Sequence, residues 1–325
     1  MKQIGLVLGA GGTTGHAFHT GVLAALADEA GWDARNAEVI VGTSAGAIVG
    51  AVVRAGIPAA DLHADASGGS PSLTARRRIR NAGQTASDVP SQPAPARPGS
   101  RPASPRMAAR TLLVPWTFRP GILLAALLPE GAIDTRAFAA GLRPLVPEQW
   151  PSAPLWLCAV RLDDGRRVVF GRDHVPAVEP ITAVSASCAI PGFFAPVTIN
   201  GVRYVDGGAH SPTNLDLVAG LGLDLVVVSS PMSHVGARPP LGLDGPSRAL
   251  ARAALWREAL RVRRSRTAIL AFQPTPADRA AMGLNPMDAT RREATAEQVY
   301  ESARQRLRSR GARELFSSPA ARGRA

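Results

Sequence analysis

Ile4-Gly5-Leu6-Val7-Leu8-Gly9-Ala10-Gly11-Gly12-Thr13-Thr14-Gly15 and, one short unit later, Glu38-Val39-Ile40-Val41-Gly42-Thr43-Ser44-Ala45-Gly46 decide how this chain reads. Each is an apolar run that enters a glycine-bearing turn. Between them, from His16 to Ala30, Phe18, Val22 and Leu26 fall on one helical stripe, and Gly31 is suited to end the helix. A second helix is expected from Ala45 to about Ala55; its Ala, Gly and Val residues permit tight packing, and Gly56 and Pro58 stop it. The succession strand, loop, helix, strand, turn, helix predicts an α/β fold with a mainly parallel sheet covered by helices.

The second turn has the form G-x-S-x-G between a strand and a helix, a nucleophile elbow in which a tight turn pushes out a serine hydroxyl. Gly42 and Gly46 flank Ser44 where a Cβ would crowd the backbone. The bland reading is a serine that merely caps the following helix. Upstream, the Gly9–Gly15 loop is able to aim bare N–H groups at a developing oxyanion. The pair points to a serine hydrolase.

A serine hydroxyl needs a base. Asp206, in Tyr204-Val205-Asp206-Gly207-Gly208, ends an expected strand ahead of two glycines; a plain Asx turn is the competing reading. Among the histidines, His16 and His19 open the first helix, and His63 and His174 fall in expected loops. His210 and His234 follow Asp206 and satisfy the Ser, Asp, His order of an α/β-hydrolase triad. That fold places its elbow after several strands, whereas Ser44 follows only the second.

Further strands are expected at Leu155–Arg161 and Arg166–Phe170 across a D-D-G turn, and at Val197–Ile199 and Val202–Val205 across Asn200-Gly201. Leu223–Ser229 reads as an interior strand and Ala268–Gln273 as the last one, with helices at Ile181–Ser187 and after Pro246. Thr111 to Leu128 is apolar and carries Trp116; it reads as a packed cover or as an amphipathic lid that touches lipid.

Within 325 residues the net charge of +12 is concentrated in two places. Asp65 to Arg110 holds eight Arg and two Asp, and Arg304 to Ala325 seven Arg and one Glu, so the rest of the chain is neutral. The first segment is rich in Pro, Ser and Gly, which predicts a disordered insertion at 65–110 inside one domain spanning 1–303, followed by a disordered basic tail at 304–325. Aromatic residues are absent from the insertion, which argues against nucleic acid as a partner. Lys2 alone precedes the first strand, so no secretory leader is expected, and no apolar run is long enough to span a membrane. Cys158 and Cys188 predict free thiols and a cytoplasmic location, and the Thr111–Leu128 stretch with the two arginine-rich segments is compatible with transient peripheral membrane contact. Oligomeric state is not legible in this sequence.

Leu8–Gly15 with Gly21-Val22-Leu23, Gly42–Gly46, and Asp206-Gly207-Gly208 together resemble the three signature blocks of the patatin-like phospholipase family. So do Ala186–Pro196 and Ala281–Met287. The resemblance implies a patatin-like three-layer α/β/α fold and a serine acyl-ester hydrolase acting on acyl lipids. It implies Ser44 as nucleophile, Asp206 as proton acceptor, and the N–H groups of Gly11 and Gly12 as oxyanion hole. Gly15, Gly42, Gly46, Gly207 and Gly208 would support the loops, and neither metal nor cofactor is required. Two positions depart from the family pattern. Ala10 stands in the glycine run, where a left-handed φ would strain it, and Thr14 occupies the usual place of a basic residue. Two readings compete with the hydrolase. The first is a nucleotide-binding Rossmann unit, although its acidic residue at the end of the second strand is missing. The second is a catalytically weak lipid-binding or scaffolding relative of the same fold.

Overall fold

A computed structural model describes residues 2–86, 101–113, 119–173, 177–236, 240 and 242–317. The opening unit is as expected: β1 (Ile4–Leu8), α1 (Gly12–Ala30), β2 (Ile40–Gly42) and α2 (Ala45–Arg54). Helices α3 (Ala59–Ala66), α4 (Leu73–Ala86), α5 (Pro105–Leu113), α6 (Pro120–Leu127) and α7 (Thr135–Leu142) follow. The sheet then resumes with β3 (Leu155–Arg161) and β4 (Arg167–Phe170), helix α8 (Pro180–Ser187), and the hairpin β5 (Val197–Ile199) and β6 (Val202–Asp206). It is completed by β7 (Leu225–Ser229), α9 (Gly245–Arg264) and β8 (Ala268–Phe272). Three helices end the described chain: α10 (Pro276–Met282), α11 (Arg292–Leu307) and α12 (Arg310–Ser317).

Strands β3, β2, β1, β7 and β8 lie side by side and parallel. Their side chains alternate between two cores, as period-2 geometry requires. Ile4, Leu6 and Leu8 of β1 meet Phe18, Val22 and Leu26 of α1, Val52 of α2 and Val299 of α11. Val7 enters the opposite layer with Leu215, Leu255 and Val262. The result is the expected three-layer α/β/α arrangement.

The pairing around β3 positions the site. Strand β4 runs antiparallel to it along one edge, from Leu157 to Val160. The other edge is shared. Strand β2 advances along it until Gly42 stands opposite Leu157, and β6 arrives from the other direction until Asp206 stands opposite Ala159. Two strand ends therefore face each other across Cys158.

The basic segments differ from the sequence expectation. Within 65–110, α4 and α5 are helical rather than disordered. Ala75 is buried, and the Arg78 guanidinium donates to the carbonyls of Ala55 (2.9 Å) and Pro144 (3.0 Å). Met107 and Ala108 pack with Ile122 and Ala125 against Val160 and Val205. The average composition hid these few apolar anchors and the capacity of arginine to satisfy backbone carbonyls. Residues 87–100, the stretch 114–118 with Trp116, and His174 lie outside the described residues. In the tail, α11 runs to Leu307 and α12 follows it, with Arg304 and Arg308 both paired to Glu29 at 2.8 Å. Cys158 and Cys188 are buried free thiols.

Candidate active site

Ser44 follows β2 with φ 55° and ψ −121°, a conformation that suits glycine and costs a side-chain-bearing residue about 1–3 kcal/mol. Close packing holds it there. A Cβ on Gly46 would stand 2.1 Å from the Leu8 carbonyl oxygen, and one on Gly42 2.7 Å from the Ala47 Cα. The Gly46 N–H donates to Gly9 O at 3.2 Å and the Thr43 N–H to Leu8 O at 3.0 Å, so the elbow is locked to the end of β1. Although Ser44 occupies the N-cap of α2, its side chain makes no capping bond. The hydroxyl instead lies close enough to the Asp206 carboxylate to favour its charged form.

Asp206 is 4 % exposed, as is Ser44. Burial raises the Asp206 pKa from 3.8 to about 6, against the opposing pull of the nearby Ser44 hydroxyl and of a hydrogen bond from the Gly208 N–H. The latter bond measures 2.7 Å. Gly207 has no room for a side chain, because a Cβ would stand 2.3 Å from Cys158 O. A Cβ on Gly208 would lie 3.3 Å from the Ala10 methyl, so the aspartate turn and the glycine loop touch.

The glycine loop is anchored by Gly9 N–H to Ser229 O (2.9 Å), Ala10 N–H to Pro212 O (2.8 Å) and Thr14 N–H to Pro286 O (3.0 Å). Gly11 is the N-cap of α1 and Gly12 its first residue, so neither N–H has an acceptor within the helix. The strain expected at Ala10 is absent: among described residues the non-glycine positive φ values belong to Ser44, Asn200, Asn214 and Arg266. Gly12 takes the left-handed turn, at φ 60°, and a Cβ there would meet Pro286 O at 2.6 Å. Gly15 lies over Pro231, with 3.3 Å available to a Cβ. Thr14 is buried and brings no charge.

Several supporting residues were not picked out as such from sequence. The Ser44 N–H donates to Ser187 Oγ (3.0 Å), whose own hydroxyl donates to Cys158 O (2.7 Å). The Cys188 thiol, its pKa raised by burial, donates to Ser44 O at 3.4 Å. Asn214, at φ 52°, bonds Thr43 Oγ1 through Nδ2 (3.0 Å). Ser187 lies inside the Ala186–Pro196 block; nothing in the sequence singles out Asn214 except that asparagine tolerates positive φ.

The histidines serve elsewhere. His19 is buried in α1 and bridges Ser229 Oγ (2.7 Å) and Gly9 O (2.8 Å), and burial lowers its pKa to about 4, leaving a neutral buttress beneath the glycine loop. The Nδ1 of His234 faces Val235 O at 2.9 Å. Among the described residues no histidine hydrogen-bonds to Ser44 or Asp206, and no group of three or more His, Cys, Asp or Glu is arranged to hold a metal ion.

A family model described as patatin-like phospholipase matches residues 6–219, a stretch that contains both turns and Asp206. The chain belongs to the patatin-like phospholipase family. Its curated relatives include uncharacterised NTE family proteins of Mycobacterium bovis and of two Mycobacterium tuberculosis strains. Each is 31% identical over 228 residues, covering 70% of this chain and 49% of the relative. This patatin-like chain thus spans about half the length of the curated relatives it matches. Among solved structures, VipD from Legionella pneumophila aligns with a TM-score of 0.41 at 14% identity, covering 94% of this chain and 66% of that one. No helix among the described residues is long and apolar enough to cross a membrane.

Proposed function

We propose that this patatin-like protein is a lipid acyl hydrolase that cleaves carboxylic esters with a Ser44/Asp206 dyad and no histidine. Asp206 takes the Ser44 proton as Oγ attacks the ester carbonyl, and the N–H groups of Gly11 and Gly12 bind the oxyanion that forms. When the tetrahedral intermediate collapses, the proton passes from Asp206 to the leaving alcohol oxygen and an acyl-Ser44 ester remains. Water then gives a proton to Asp206 and attacks the acyl carbon, after which Ser44 leaves with that proton and the carboxylic acid is released.

The single observation that carries this reading is the behaviour of the Ser44 side chain. It sits at a helix N-cap, declines to cap, adopts a strained φ and lies beside a buried carboxylate instead. An ordinary βα-turn serine would cap its helix and avoid the strain. A carboxylate raised to about 6 is better matched to proton transfer near neutral pH than one at 3.8.

Hydrolysis of short and long p-nitrophenyl esters by the wild type, Ser44→Ala, Asp206→Asn and His234→Ala tests it, with fluorophosphonate labelling alongside. Turnover and labelling are expected to vanish in Ser44→Ala and to survive in His234→Ala. Equal turnover in wild type and Ser44→Ala would overturn the proposal, and loss in His234→Ala equal to that in Ser44→Ala would replace the dyad by a triad.

A further inference from the structure

We propose that the outward face of α5 and α6 docks the protein onto an anionic lipid surface, delivering acyl lipids to Ser44; this rests on the hydrolase reading above. Helix α6 has the sequence Pro-Gly-Ile-Leu-Leu-Ala-Ala-Leu and no polar side chain at all. One side is accounted for by Ile122, Ala125 and Ala126, which pack inward. A surface helix of a protein that meets only water carries polar residues on its other side. Here the other side presents Leu124 and Leu127, 58 % and 50 % exposed and three residues apart, with Leu113 of α5 78 % exposed.

Charge selects the occupant. From Arg101 to Leu128 there is no carboxylate, and the arginines are Arg101, Arg106, Arg110 and Arg119. Arg101, Arg106 and Arg110 are exposed. At the border of the face, Glu130 and Asp163 are both paired with Arg203 at 2.7 Å. Exposed leucines set among arginines that pair with no carboxylate among the described residues match an acyl layer beneath anionic headgroups. A protein partner would need carboxylates to answer the arginines, whereas a bilayer supplies both chemistries and is where acyl lipids reside.

The face is also joined to the site. A Cβ on Gly121 would stand 2.5 Å from Ala209 O, and the Arg119 guanidinium donates to His210 O at 3.2 Å. Ala209 and His210 follow Asp206 by three and four residues. Beneath α5 and α6 lie Val160 and Val205, in the two strands whose pairing carries Asp206.

Co-sedimentation with phosphatidylcholine vesicles, with and without phosphatidylglycerol, tests the proposal. Wild type is expected to pellet with the phosphatidylglycerol vesicles and to be released by high salt. Leu124→Asp/Leu127→Asp and, separately, Arg106→Glu/Arg110→Glu are expected to weaken that partitioning by about tenfold or more, while both retain wild-type turnover of a water-soluble p-nitrophenyl ester. The arginine pair is exposed, so it keeps the test decisive should the leucine pair fail to fold. Wild type that stays in the supernatant, or folded variants that pellet like wild type, would overturn the docking face. Absence of ester turnover in a wild type that pellets normally would overturn the hydrolase reading instead.

Discussion

Replacing Asp206 by Asn should stabilise the fold at neutral pH while abolishing turnover. The buried carboxyl has its pKa raised from 3.8 to about 6, and at about 1.36 kcal/mol per pH unit this difference corresponds to about 3 kcal/mol. Below pH 3.8 the group is protonated in both the folded and the unfolded chain and costs nothing as a charge. Between 3.8 and 6 the unfolded chain binds fewer protons than the folded one, so wild-type stability falls as pH rises through this window. Above pH 6 the whole penalty is present. Asparagine never ionises and is exempt from it. The assay is urea unfolding of wild type and Asp206→Asn at about pH 3.5 and pH 7.5, values that bracket the titration. The Ser44 and Gly208 interactions favour the carboxylate only at the higher pH and are already contained in the net shift, which they oppose, and other titrating groups are common to both proteins. What remains is the change in the stability difference between the two pH values, expected to favour Asp206→Asn at the higher pH by up to about 3 kcal/mol. A stability difference that does not change with pH would refute the claim that burial raises this group.

The same titration governs catalysis in the proposed mechanism: kcat/KM should fall about tenfold per pH unit below about 6 and level off above it, as a pH–rate profile on a soluble ester would show, whereas an ordinary aspartate would place that limb near 4. Ser44→Gly and Ser44→Ala should both be inactive, but the glycine variant should be the more stable by about 1 kcal/mol or more, because only it accepts φ 55° without strain; equal thermal denaturation of the two would remove the strained elbow from the account. Gly46→Ala should cost about 3 kcal/mol or prevent folding, since its Cβ would stand 2.1 Å from a backbone oxygen with no flexible end to yield. Soluble expression with a wild-type melting temperature would contradict the packing described.

Much of the architecture was legible because it is local. The runs Ile4–Leu8 and Leu225–Ser229, the stop at Gly31, the hairpin at Asn200-Gly201 and the G-x-S-x-G turn each owe their form to neighbours a few residues away. Composition misled where structure depends on a few anchors: the Arg- and Pro-rich 65–110 segment contains α4 and α5, held by Ala75, Met107 and Ala108 and by arginine bonds to distant carbonyls. The strain expected at Ala10 failed for a related reason. Which residue of a glycine run takes the left-handed φ depends on what presses on the loop, and here Pro286 presses on Gly12.

Read along the chain, the residues specify the alternation of strands and helices, the position of a serine in a tight turn and the family to which the protein belongs. They single out Asp206 without showing what that residue touches. Folding in three dimensions is what makes β2 and β6 run toward each other along one edge of β3, so that strand ends at Gly42 and Asp206, 164 positions apart in the chain, meet across Cys158. It also brings the Ser44 hydroxyl beside Asp206, where it does not cap its helix, and sets His19 as a brace for the glycine loop. Hydrogen-bond register between distant strands sets these contacts, and a linear pattern carries no information about which edge two strands will share.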